Sequence, residues 1–263
     1  MNKYLTILRI SWQSTLVYRL NTLMWRFRMF LTSLISISLW LVVFTKQQQF
    51  FHYQAEDMLS YIFLTSILQS LILSSAIQDL ATNIYNGRIS YLLIRPVNIF
   101  AFLLSQDLAD KAKNIFFAII ELSLLYLIFQ PQFYWPNLSS LLFFIISILL
   151  GFITLFIIML LFGSIGFWSP ETWAPRFLFF MIIQFTSGRL FPLDVLPSLL
   201  QKIIYLTPFP YLTFVQTQIF LERFSFNQSL SKVLIGSIWV IVLTIFLKII
   251  WQKGMKNYSA VGQ

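Results

Sequence analysis

The stretch N-G-R-I-S-Y-L-L-I-R-P-V-N, residues 86–98, joins two long apolar segments and carries Arg88 and Arg95 of its own. Two guanidinium groups so close together do not cross a hydrocarbon layer; such a segment lies against its surface, where long side chains reach the headgroups. Gly87 permits a sharp turn, residues 89–94 suit a short helix, and Pro96 disfavours the α conformation at Arg95. The flanking chain therefore reads as membrane helices joined by short surface elements.

Composition agrees. Of 263 residues, 58% are hydrophobic and 10% charged, whereas an ordinary soluble domain has roughly 25% charged residues. This defines an all-α polytopic membrane protein with room for about six spans of roughly 20 residues. The net charge of +9 comes from basic residues in small groups flanking apolar runs, the pattern of topology signals and anionic-headgroup contacts, not of a nucleic-acid surface. Cysteine is absent, which excludes disulfides and thiolate metal sites. His52, between Phe51 and Tyr53, reads as an interfacial side chain rather than a ligand.

Outward from the opening stretch, the chain is read as one membrane domain. Residues 1–28 lack the unbroken apolar region of a cleaved leader and carry Lys3, Arg9, Arg19, Arg26 and Arg28, so the first span is expected to anchor the chain. Leu5, Leu8, Trp12, Leu16, Leu20 and Leu23 form one helical stripe, expected as an interfacial helix over residues 1–26. Spans are expected at about 27–44, 58–77, 114–130, 138–167, 176–191 and 233–251. After the opening stretch a polar run with Asp107, Asp110 and Lys111 extends to Lys113. The fourth span would be roughly 45 Å long and should tilt, kink at Gly151 or Gly163, or project into the cytoplasm. The fifth meets Gly188, Arg189 and Pro192 early, and a half-apolar, proline-punctuated stretch follows to residue 227. Basic residues place both termini and residues 86–98 on the cytoplasmic side of the plasma membrane.

No phosphate-binding loop G-x-x-x-x-G-K-[ST] occurs, so the chain is not expected to hydrolyse ATP. The nine acids are scattered and the single His has no catalytic neighbours, so an enzyme is not expected. Glu121 is the one acid well within a span. It reads as a cation or proton site of an ion-coupled secondary transporter, or as a structural partner of an arginine or Ser123. A non-transporting scaffold is a third reading. The 29 phenylalanines could line a route for amphiphilic cargo.

Six spans, N-G-R-I-S-Y-L-L-I-R-P after the second, S-G-R-L-F-P-L-D-V-L-P after the fifth and the tail W-Q-K-G-M-K-N-Y-S-A-V-G-Q resemble the permease subunit of type-2 ATP-binding-cassette exporters. Within that group they resemble the compact six-span branch. The resemblance implies that Asn86, Gly87, Arg88, Ile89, Tyr91, Leu92, Leu93, Arg95 and Pro96 form a coupling helix seated in a groove of a separate ATPase. Ile89, Leu92 and Leu93 would supply an apolar docking face, with Arg88 and Arg95 facing acids of the partner; the alternative is a membrane-surface connector with snorkelling arginines. It further implies an external re-entrant hairpin over residues 188–227, with Ser187, Gly188, Arg189, Phe191, Pro192, Asp194, Leu196 and Pro197 at its gate, packed against the sixth span and a partner subunit. Arg189 and Asp194 are expected to pair across it. By the same resemblance the chain holds no cofactor; ATP and Mg belong to two ATPase copies, and a second permease, identical or sibling, completes the exporter of a hydrophobic or amphipathic compound.

Overall fold

The computed structural model describes residues 6, 9, 10, 12, 13, 17, 19–46 and 49–258. Their secondary structure is helical apart from an isolated bridge between Phe50 and Tyr53. In chain order the helices are α1 (Arg19–Lys46), α2 (Ala55–Leu68, prolonged by a π turn, Gln69–Leu73), α3 (Leu80–Tyr85), α4 (Ser90–Leu93), α5 (Ile99–Phe129), α6 (Leu138–Gly163, closed by a 3-10 turn, Ser164–Phe167), α7 (Trp173–Thr186), α8 (Ser198–Tyr205), α9 (Phe214–Phe220) and α10 (Phe226–Asn257). Five of these units, α1, α2 with its π turn, α5, α6 with its 3-10 turn, and α10, are long and apolar enough to cross a membrane.

Local sequence fixes the starts of the long helices. Asn98 accepts a hydrogen bond from Ala101 N at 3.1 Å, Asn137 from Ser140 N at 2.8 Å, and Ser225 from Gln228 N in a capping box. Each cap satisfies a backbone donor that the first turn leaves without a partner. Gln130, in the left-handed conformation, ends α5 just before Pro131.

Several boundaries differ from those expected. Lys3, Leu5, Leu8 and Leu16 of the expected interfacial helix, and tail residues 259–263, lie outside the described residues. Residues 19–26, expected as the end of that surface helix, are the first turns of α1. Residues 99–113, read as a polar surface run, are the first half of α5, with Asp107 and Lys111 buried. The segment expected to span at 176–191 is instead the 14-residue α7. At 1.5 Å per residue it rises about 21 Å, short of a hydrocarbon layer of roughly 30 Å.

The post of the bundle is α6, which packs most extensively on α10 and also holds α9 and α3. It runs unbroken through Gly151, and its winding tightens after Gly163. Both glycines are approach points. A Cβ on Gly151 would lie 2.7 Å from the Gln216 side chain, and one on Gly163 would strike Leu80.

Candidate functional site

At one end of α6 the chain builds the segment 86–98. Gly87 turns it with φ +69°, a left-handed conformation that a Cβ disfavours. Its amide bonds back to Ile84 O, and Arg88 N to Asn83 O. The helix that follows, α4, has only four residues, and Ile89 and Leu92 share its inward face. Ile89 joins a cluster with Ile84, Leu103, Ile157, Leu160, Leu247 and Trp251, drawn from α3, α5, α6 and α10. This corrects the expected docking face: Ile89 and Leu92 (4% exposed) serve the chain's own interior, while Tyr91, Leu93 and Ile94 (85% exposed) point outward. The Arg95 guanidinium lies 5.4 Å from the Tyr91 ring, and Asn86, Arg88 and Pro96 are exposed beside them.

The seating of this corner is close. A Cβ on Gly166 would strike the carbonyl of Ala81, so α3 approaches the 3-10 turn of α6 backbone to backbone. Tyr258, at the end of α10, packs its ring on Phe167 with its hydroxyl above Gly87.

Toward the other end of α6 lies the hairpin. Gly188 turns α7 back with φ +81°, and a Cβ there would lie 2.6 Å from Phe214 Cβ. Both the conformation and the space demand glycine. Ser187 O accepts from Phe214 N at 2.9 Å and Thr213 Oγ1 at 2.7 Å, and Gly188 O from the Tyr61 hydroxyl. Every residue from Phe214 to Ile219 is buried, yet the run contains Gln216, Thr217 and Gln218. Gln216 Nε2 donates to Ser147 O at 2.9 Å and Tyr211 O at 2.6 Å, and Gln218 Nε2 to the Tyr53 hydroxyl at 2.6 Å. Non-helical backbone within an apolar bundle persists only when its polar groups are paired in this way. The neighbours that hold α9 most closely are α6 and α2, and the hairpin also meets α10, where Lys232 Nζ lies 4.3 Å from the Tyr205 ring and a Cβ on Gly236 would lie 3.6 Å from Tyr211. Leu193 is buried, with Phe191, Val195 and Leu196 packed on the same core, and Pro192 and Pro197 introduce the 3-10 turn and α8.

The expected pair of Arg189 with Asp194 is not formed. Asp194 accepts from the Tyr53 hydroxyl at 2.9 and 3.1 Å, while Arg189 donates to Gln184 Oε1. Burial raises the Asp194 carboxyl above its ordinary range; the Tyr53 hydrogen bond and Arg223 pull it back only in part. Burial, then the nearby Asp194 charge, hold the Tyr53 phenol well above its usual value.

Glu121 pairs with an arginine. Arg26 grips it with Nε at 2.8 Å and Nη2 at 3.1 Å and also reaches Asn114, tying α1 to α5. A second tie escaped the sequence reading. Where α2 breaks at its π turn, Lys111 Nζ donates to Ile72 O at 2.8 Å and to Ser74 O, and Asp107 Oδ1 accepts from Ala76 N at 3.0 Å. Its signal was the i,i+4 spacing of Asp107 and Lys111, which puts both on one face of a helix. Between α1, α2, α5 and α7 opens a cavity of about 690 Å³, with Phe30, Phe162, Phe177 and Phe179 in its walls. The described residues hold no cluster of metal-ligating side chains.

An apolar helical bundle, with five helices long and apolar enough to cross a membrane and pinned by internal polar ties, defines the class: an integral membrane protein. Residues 30–262 match the family model described as ABC-2 family transporter protein, and the chain belongs to that family. It is a membrane permease component of an ABC transporter, not itself catalytic, and its family implies association with an ABC ATPase. No curated protein matches the chain.

Proposed function

We propose that this permease works in an ATP-driven exporter, moving a hydrophobic or amphipathic compound out of the cytoplasm or inner leaflet by alternating access at an interface with a second permease. Two ATPase subunits hold ATP and Mg, and each seats one coupling segment, residues 86–98. Both termini and that segment face the cytoplasm of the plasma membrane, and the hairpin over residues 188–227 gates the outer side.

One observation carries this reading. The coupling turn presents Tyr91, Leu93 and Ile94 outward, while Ile89 belongs to the buried cluster that α3, α5, α6 and α10 also supply. A push on the tip is thus a push on the cluster that these four helices share. Along α6 the hairpin contact at Gly151 and the contact at Gly163 with Leu80 of α3, the helix leading into the coupling segment, are about 18 Å apart at 1.5 Å per residue. A close-packed helix transmits displacement between them without a hinge. The pairing of Glu121 with Arg26 favours this over ion-coupled transport, because the carboxylate is already occupied.

The test is co-expression with the ABC ATPase. Replacing residues 91–94 by Ser and Gly should abolish co-purification and substrate-stimulated ATP turnover while membrane insertion persists. Unchanged co-purification would overturn the proposal, and ATP turnover without vesicle uptake would favour a scaffold.

A further inference from the structure

Two spaces in the bundle meet at one seam. The first is the cavity of about 690 Å³ between α1, α2, α5 and α7. The second is a groove of about 500 Å³ between α2 with its π turn and α5, with Phe63, Ile67 and Leu71 on one side and Ile115, Ile119 and Tyr126 on the other. Ser70, Ala118 and Leu122 line both, so the wall between the two is a single residue thick. Two of the three are small, and Ser70 sits in the π turn, where the regular winding of α2 is interrupted. Helix α5 divides the spaces. Asn114 and Glu121 line the cavity, Ile115 and Ile119 the groove, and Ala118 and Leu122, one turn apart, form the border.

The two sides differ in chemistry. Each acid of the cavity wall already has a cation: Glu121 takes Arg26 at 2.8 Å, Asp110 takes Lys113 at 2.6 Å, and Asp79 takes Arg176. Arg28, exposed, lies 4.4 Å from the Trp25 ring. Ser33, Ser66, Gln69, Asn114 and Gln184 add neutral donors and acceptors. A guest with a net charge must compete with the existing pairs, whereas a neutral, hydroxyl-rich head exchanges hydrogen bonds with both members and separates none. In the groove the polar side-chain groups are the hydroxyls of Ser70, Ser123 and Tyr126, and the remaining lining is hydrocarbon. Both its walls belong to helices long and apolar enough to cross a membrane, and Ile119 and Leu127 are exposed, so the groove opens onto lipid chains. Polar space and apolar groove, joined at a thin seam, match the two halves of one amphiphile.

We infer that α2 and α5 frame a side entrance from the bilayer, at which an amphiphile with an uncharged, hydroxyl-rich head sits astride Ser70 and Ala118, its alkyl chain in the groove and its head in the cavity. This rests on the exporter reading for its meaning as cargo entry; the binding itself does not.

The chain has no cysteine, so Leu127→Cys, at an exposed position of the groove, carries a single fluorescent bimane label. The labelled permease and its ATPase are placed in phosphatidylcholine nanodiscs without nucleotide. Dodecyl glucoside with a nitroxide at the chain end should quench the label saturably and be displaced by unlabelled dodecyl glucoside. Nitroxide-labelled dodecane, which has no head, should quench only in proportion to its concentration, and the matching dodecanoic acid should bind more weakly than the glucoside. Ala118→Leu and Ser70→Leu fill the seam from opposite walls, and each should weaken glucoside binding about tenfold. Ile120→Phe adds bulk to an exposed position of α5 that lines neither space and should leave binding within about twofold. Should one seam variant fail to insert, the other decides. Unsaturable quenching by the glucoside overturns the inference, as does acid binding as tight as the glucoside or tighter, or glucoside binding that an inserted seam variant leaves intact. Absence of quenching by all three probes also overturns it, and would mean that a second permease covers the groove. ATP-driven uptake is read separately, so failure of export with intact binding refutes the exporter reading and not this one.

Discussion

Lys111 Nζ sits 2.8 Å from the carbonyl of Ile72, thirty-nine positions earlier in the chain, and closes the gap that the π turn opens in α2. Ser74 O, two residues further on, uses the same ammonium, and Asp107 stands 3.7 Å away as its counter-ion. Removing one member of a buried charged pair leaves the other without solvation. Lys111→Met is therefore expected to destabilise the protein by roughly 3–5 kcal/mol, read as a lower midpoint of thermal unfolding in detergent. Asp107→Asn combined with Lys111→Met should recover part of that loss, since no lone charge remains.

The coupling segment makes two opposed predictions from neighbouring residues. Ile94→Asp places a charge where 85% of the side chain faces out, so thermal stability should stay within about 0.5 kcal/mol while ATPase co-purification is lost. Leu92→Asp, at a position 4% exposed, should lower stability and membrane yield instead. Equal effects on both measurements would contradict this division of faces.

Gly166→Ala probes the seat of α3. The added methyl meets the Ala81 carbonyl, which belongs to backbone and cannot rotate away. Overpacking of this kind costs roughly 1–3 kcal/mol. The expected result is a complex that still assembles and turns over ATP, but with transport per ATP reduced, measured as the ratio of vesicle uptake to phosphate release.

Asp194 supplies a pH dependence. Burial raises its carboxyl in the folded state, so the folded form holds the proton to higher pH than the unfolded one. The associated stability is fully present below the ordinary carboxylate range and is lost as pH rises from there through the raised folded-state value. Thermal midpoints in detergent should fall across that window, and Asp194→Asn should flatten the profile. A midpoint that rises through the same window would refute the assignment.

How much of this was legible follows from where the physical signal lives. Runs such as residues 138–167 announce themselves because hydropathy and length are properties of a segment alone. Gly87 was recognisable as a turn for a similar reason: the left-handed conformation is a local matter. The faces of α4 were not. In a helix of four residues no periodicity exists to say which side is inward, and only the buried cluster with Leu103, Ile157 and Leu247 decided that Ile89 turns in. Likewise Asp107 and Lys111 read as part of a polar run, because sequence cannot reveal a carbonyl left open by a broken helix dozens of residues away.

The sequence by itself determined that this is a polytopic helical membrane protein and where its chain must turn. Which partner each charge took was decided only by tertiary structure. Asp194 chose Tyr53 over Arg189, Arg26 took Glu121, and Arg28 was left over. Pairing energy falls off within a few ångströms, whereas sequence separation says nothing about distance across a bundle.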